Sequence, residues 1–103
     1  MIKRDINQNL YKEAKRIIPG GVMLFSKRPE NHLPEKWPTY YKKAKGAFVW
    51  DLNNKKYLDM YFGVGQSVLG YANSFIDREV NNSNNLGNIT SLNSFYEVKL
   101  AKK

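Results

Sequence analysis

No cysteine occurs among the 103 residues, which excludes disulfides, zinc–thiolate sites and thiol nucleophiles together. Long apolar runs are missing too. The longest, such as Ala47-Phe48-Val49-Trp50, fall far short of the roughly 18–20 residues that cross a bilayer, so no membrane span is expected. The opening Met1-Ile2-Lys3-Arg4-Asp5 has early basic residues but no apolar signal core, because Asn7, Gln8 and Asn9 interrupt it. A cytoplasmic location is the expectation. Acidic residues are scarce, 9 against 17 Lys/Arg, for a net charge of +8. With 42% hydrophobic and 25% charged residues the composition is that of a folded domain and not of a disordered tail. The length permits one modest core.

The charge is uneven. Residues 1–56 hold thirteen Lys/Arg against five Asp/Glu, and residues 57–103 hold four of each. A basic half containing Trp37, Tyr40, Tyr41, Phe48 and Trp50 admits a nucleic-acid reading, since lysines neutralise phosphates and aromatic faces stack on bases. The plainer reading is favoured: lysines solvate the outer faces of elements whose aromatics point inward. The asparagine-rich stretch from Asn81 to Asn88 reads as polar helix end and loop.

Residues 1–18 contain a helix. Ile6, Leu10, Ala14, Ile17 and Ile18 recur at spacings of three and four and fall on one stripe, with Lys12, Lys15 and Arg16 outside it. Pro19-Gly20-Gly21 stops it. Residues 19–38, punctuated by Pro29, Pro34 and Pro38, read as a long extended loop. Residues 39–60 read as a three-stranded antiparallel meander: Thr39 to Ala44, a turn at Lys45-Gly46, Ala47 to Asp51, a turn at Leu52 to Lys55, then Lys56 to Met60. Residues 61–103 open a helical region. Gly63-Val64-Gly65 and Gly70 mark a bend, Asn73 or Ser74 can cap a helix through Ile76 and Val80, and a last helix can begin near Asn93 or Ser94.

The residues do not supply a catalytic constellation on their own. His32, the only histidine, is expected to face solvent from the loop. Asp51 and Asp59 flank a turn and are expected to be exposed, without the burial that would set an acid–base pair apart. No phosphate-binding loop or metal-ligand spacing occurs, and Gly63-x-Gly65 with Gly70 lacks dinucleotide-binding spacing. Catalytic, cofactor-binding and metal residues are therefore all expected to be none.

The order of signals carries a resemblance. Leu10 to Lys15, then Ile18-Pro19-Gly20-Gly21-Val22, then Ala44-Lys45-Gly46-Ala47-Phe48-Val49-Trp50-Asp51, Lys56-Tyr57-Leu58-Asp59, Leu69-Gly70-Tyr71 and Gly87 to Asn93 resemble the N-terminal region of class III pyridoxal-phosphate aminotransferases. The likeness is strongest to the glutamate-1-semialdehyde 2,1-aminomutase branch and covers nearly the whole chain. It implies an α+β segment: helix, long loop, three-stranded antiparallel meander, then helices, as part of the small domain of a fold-type I enzyme. It further implies amino-group transfer on a small amino or keto substrate, a dimer, and pyridoxal phosphate as the cofactor of the complete enzyme, which carries the electron-sink chemistry.

By that resemblance the substrate-binding positions are Ser26, Lys27 and Val64. Met23-Leu24-Phe25-Ser26-Lys27 stands where the aminomutase has Asn-Ser-Pro-Val-Arg, and Val64 stands where it has a tryptophan before a glycine. Lys27 offers a carboxylate a point charge without the two-pronged arginine geometry. These departures favour an aminotransferase acting on another keto compound. The family's phosphate turn, pyridine-facing aspartate and Schiff-base lysine lie beyond the matching stretch, so the chain alone is expected to bind no cofactor and to be inactive. Its partner is then the remaining part of the enzyme or a second aminotransferase subunit; nucleic acid is disfavoured. The alternative is a small basic module that binds nucleic acid or docks on a full-length aminotransferase through residues 6–18. An apolar patch at Val64, Val68 and Leu69 is expected where a larger domain would pack.

Overall fold

A computed structural model describes residues 5–103, which divide into two compact units, one ending at Asn73 and the other running over Ser74–Lys103. In the first unit α1 spans Ile6–Ile17. Asp5 caps it by accepting the Gln8 amide, satisfying one of the donors that a helix start leaves unpaired. Lys15 and Arg16 sit in the last turn, where cations favour the exposed carbonyls.

The side of α1 that turns inward is not the apolar stripe expected from the periodicity. Asn7, Tyr11 and Ala14 are buried, whereas Ile6, Leu10, Ile17 and Ile18 are exposed, Ile17 at 72%. The two stripes are neighbours that share Ala14, so spacing alone does not separate them. What decides is where the loop after Pro19 returns. Asn7 accepts the Tyr40 amide at 3.4 Å, and the Tyr11 hydroxyl donates to Glu30 at 2.7 Å. The inward face is chosen by groups that can cross-link backbone and loop.

That loop is also more ordered than an extended run. It contains two short 3₁₀ turns, Phe25–Lys27 and Pro29–Asn31. The Asn31 side chain donates to the Phe25 carbonyl at 2.7 Å and fastens one turn to the other.

The sheet has the order β1-β2-β3, with β1 at Tyr41–Lys45, β2 at Phe48–Asp51 and β3 at Lys56–Leu58, all antiparallel. Tyr41 faces Asp51 and Lys43 faces Trp50, so Lys42 is the extra residue of a bulge. Asn53, in the β2–β3 turn, accepts the Ile6 amide at 3.2 Å and donates to Asp5 at 3.0 Å, tying the start of α1 to the sheet. The aromatics do not simply point inward. Lys56 Nζ lies 3.8 Å from the Phe48 ring centroid, and Lys43 Nζ lies 4.5 Å from that of Trp50. These cations cover ring faces that the fold leaves partly exposed.

The second unit holds α2, Ser74–Asn84, and α3, Phe95–Ala101, the latter capped by Ser94 through the Tyr96 amide. Neither helix buries a residue.

Candidate functional site

Two constructions in the first unit gather chemistry. The first is built on Pro19-Gly20-Gly21. Gly20 and Gly21 have φ of +78° and +79°, values that L side chains resist. A Cβ at Gly21 would stand 2.9 Å from the Tyr11 ring, and one at Gly20 would overlap the Arg28 guanidinium. Both glycines therefore serve close approach as well as the turn. Around them Tyr11, Lys15, Phe25, Arg28, Glu30 and Asn31 line an open surface cavity of about 460 Å³. The Tyr11 hydroxyl, with the positive charges of Lys15 and Arg28 nearby, holds the Glu30 carboxyl below its usual range. Burial, and then this bond to Glu30, pushes the Tyr11 hydroxyl up.

The second construction closes the loop after β3. Gly46 and Tyr71 exchange backbone hydrogen bonds, both at 2.9 Å. Asp59 accepts the amides of Tyr61 and Phe62 at 2.8 and 3.1 Å through one oxygen, and the Tyr71 hydroxyl at 2.6 Å through the other. Burial pushes the Asp59 carboxyl up, but these donors together outweigh it and hold it below its usual range. The bond to Asp59, with burial and its charge, pushes the Tyr71 hydroxyl up to about 12. Between these fixed ends the chain makes a left-handed turn over Phe62, Gly63, Val64 and Gly65. Val64, at φ +63°, is β-branched in a region that such residues avoid, a strain associated with functional segments.

Ser26 and Lys27 lie exposed on the first 3₁₀ turn, and Val64 is 73% exposed on the left-handed turn. Among the described residues no hydrogen bond, ion pair or ring contact joins either of the first two to Val64. Val68 and Leu69 are 75% and 68% exposed beside it, as expected of an apolar patch.

His32 is exposed yet engaged: its ring stacks on Trp37 with centroids 4.2 Å apart, and Nε2 lies 3.0 Å from the Ser26 carbonyl. The two aspartates depart from expectation. Asp51 is only 4% exposed, accepting the Lys55 amide at 2.9 Å and the Tyr57 hydroxyl at 3.1 Å, and Asp59 is half-buried. Each turn folds back on its own carboxylate, which is why neither is free in solvent. The Asp59–Tyr71 pair escaped sequence reasoning; an aspartate just before a glycine-rich bend whose far end carries a tyrosine was its only signal.

Every described lysine is exposed. A Schiff-base lysine needs an amine desolvated in a formed pocket, so these residues do not fit covalent attachment of a cofactor aldehyde. No group of three or more metal-ligating side chains occurs among the described residues, and no described helix is long and apolar enough to cross a membrane.

No family model matches the chain. Among curated proteins it is 35% identical over 102 residues to glutamate-1-semialdehyde 2,1-aminomutase of Wigglesworthia glossinidia brevipalpis, covering 99% of the chain and 23% of that protein. It is 34% identical over 103 residues to 3-aminobutyryl-CoA aminotransferase of Cloacimonas acidaminovorans, covering 99% of the chain and 25% of that protein. The solved PLP internal aldimine form of the FumI protein from Sphingopyxis sp. MTA144 superposes with a TM-score of 0.78 at 30% identity, over 93% of the chain and 23% of that structure. The chain is similar to the N-terminal region of class III pyridoxal-phosphate-dependent aminotransferases. It spans about a quarter of the length of the relatives it matches. The α+β arrangement of helix, loop, meander and helices thus matches the corresponding part of that solved structure.

Proposed function

We propose that the chain is the N-terminal portion of a pyridoxal-phosphate-dependent aminotransferase or aminomutase, in which residues 25–31 and 61–69 border the entrance for a small amino or keto substrate. The observation that carries this reading is the likeness, over 93% of the chain, to a structure solved in a PLP form. Ser26 and Lys27 are solvent-accessible on one loop, and Val64 is held outward on a turn with fixed ends. Lys27 supplies the point charge for a substrate carboxylate. Val64 presents a small apolar surface, which leaves room for a substrate larger than the aminomutase tryptophan position would admit. The nucleic-acid alternative is weaker because Lys43 and Lys56 already lie over the Trp50 and Phe48 rings that base stacking would need.

By itself the chain neither holds the cofactor covalently nor transaminates. Equimolar pyridoxal phosphate added to the purified chain is expected to leave no imine absorbance. A 1:1 imine band abolished by one specific Lys→Ala change would overturn this. A chimera carrying these 103 residues ahead of the remaining sequence of the Wigglesworthia relative is expected to regain the imine. A folded chimera that binds no cofactor would count against the N-terminal assignment.

A further inference from the structure

Arg28 is the one strongly basic group of the first cavity whose charge is not matched there. Among the described residues its guanidinium donates no hydrogen bond and forms no ion pair, and its Nε is buried without a partner. It is nonetheless fixed in place. One side lies against the backbone at Gly20, where any Cβ would overlap Nη2, and the guanidinium carbon sits 5.0 Å from the Phe25 ring centroid. Glu30, the cavity's one carboxylate, is already committed to the Tyr11 hydroxyl at 2.7 Å and faces Lys15 at 3.8 Å. The lining therefore holds two cations and one anion.

We propose that this cavity is a carboxylate-binding site in which the two terminal nitrogens of Arg28 grip a planar carboxylate end-on, with Lys15 at its edge. The site is distinct from Lys27 and does not depend on the aminotransferase reading. The charge count leaves room for one negative group. A volume of about 460 Å³ suits a small organic acid. The guanidinium's fork matches a carboxylate's two oxygens, which an ammonium cannot do. Because Gly20 and Phe25 hold the plane beforehand, little ordering remains to be done on binding. Gly20 thus acquires a role besides turning the chain: it leaves the space in which the fork lies.

The test is a titration of the full 103-residue chain with sodium succinate at constant ionic strength, read by NMR at the Gly20 and Gly21 amides and Arg28 Nε. A parallel titration uses a short oligoglutamate peptide. Saturable shifts are expected. Succinate binding more tightly points to a free acid, and the peptide binding more tightly points to a partner's acidic side chain. Arg28→Lys, which keeps the charge and removes the fork, is expected to weaken binding about tenfold. Gly20→Ala, which displaces the guanidinium, should do the same, while Lys45→Ala, an exposed lysine on β1 outside the cavity lining, leaves binding unchanged. The proposal fails if neither probe saturates, if Arg28→Lys binds as well as the parent, or if Lys45→Ala abolishes binding equally.

Discussion

Replacing Gly70 by alanine is expected to lower the stability of the unit ending at Asn73 by about 2–4 kcal/mol, the sum of a left-handed backbone penalty and a backbone clash. Gly70 has φ +86°, and a Cβ there would stand 3.1 Å from the Gly46 Cα and 3.3 Å from the Gly46 carbonyl atoms. The obstacle is backbone, so no side-chain rotation relieves it. To make room, the Gly46 backbone must give by a few tenths of an ångström, which strains the two 2.9 Å hydrogen bonds of the Gly46–Tyr71 bridge. Gly46→Ala is the control. It also has positive φ, +57°, but nothing lies within 4 Å of its Cβ position, so about 1 kcal/mol is expected from backbone conformation alone. Urea unfolding of both variants measures the difference. Equal losses would show that conformation matters and the close approach does not.

The contrast between these two glycines also shows what the sequence could and could not reveal. The meander was legible because β-rich runs alternate with Lys45-Gly46 and Asn53-Asn54, residues that suit turns whatever surrounds them. The cap at Ser94 and the stop at Pro19 were local in the same way. Gly70 reads only as a bend, because the partner that makes it indispensable is Gly46, brought near by the fold. Likewise the inward side of α1 depends on Glu30 and Tyr40, far along the chain, and a stripe of isoleucines gives no hint that Asn7 and Tyr11 will be chosen instead. Turn-flanking carboxylates usually lie in solvent, and sequence alone puts Asp51 and Asp59 there. Both are drawn in by tyrosines, Tyr57 at six residues and Tyr71 at twelve residues along the chain. Of the site, the positions Ser26, Lys27 and Val64 came from resemblance to a family. The arrangements that fix their loops came from geometry between separated residues, to which periodicity is blind.

Replacing Asp59 by asparagine is expected to bring the Tyr71 hydroxyl from about 12 down toward the ordinary tyrosine value of about 10. The cause is direct: a carboxylate 2.6 Å from the phenol resists a second negative charge, and asparagine does not. Tyrosinate absorbance followed against pH, with Tyr71→Phe identifying the transition, measures the shift. Stability follows with a definite sign. Tyr71 titrates higher folded than unfolded, so its contribution is complete below about pH 10 and is lost as pH rises through about 12. Asp59 titrates lower folded than unfolded, so its contribution is present above about pH 4 and lost as pH falls through the depressed folded value. The pair thus fastens the loop across the whole neutral range. In Asp59→Asn the Tyr61 and Phe62 amides keep a carbonyl acceptor, so the turn can persist while the charged bond to Tyr71 is gone. Amide exchange of Val64 and Ser67, whose bonds to Tyr61 and Phe62 close the left-handed turn, should then quicken about tenfold, as expected for the loss of roughly 1.5 kcal/mol in a charge-assisted hydrogen bond. A variant in which Tyr71 still titrates near 12 would mean that burial, and not the carboxylate, sets its ionisation, and that the two ends of this loop are held together by the Gly46–Tyr71 bridge alone.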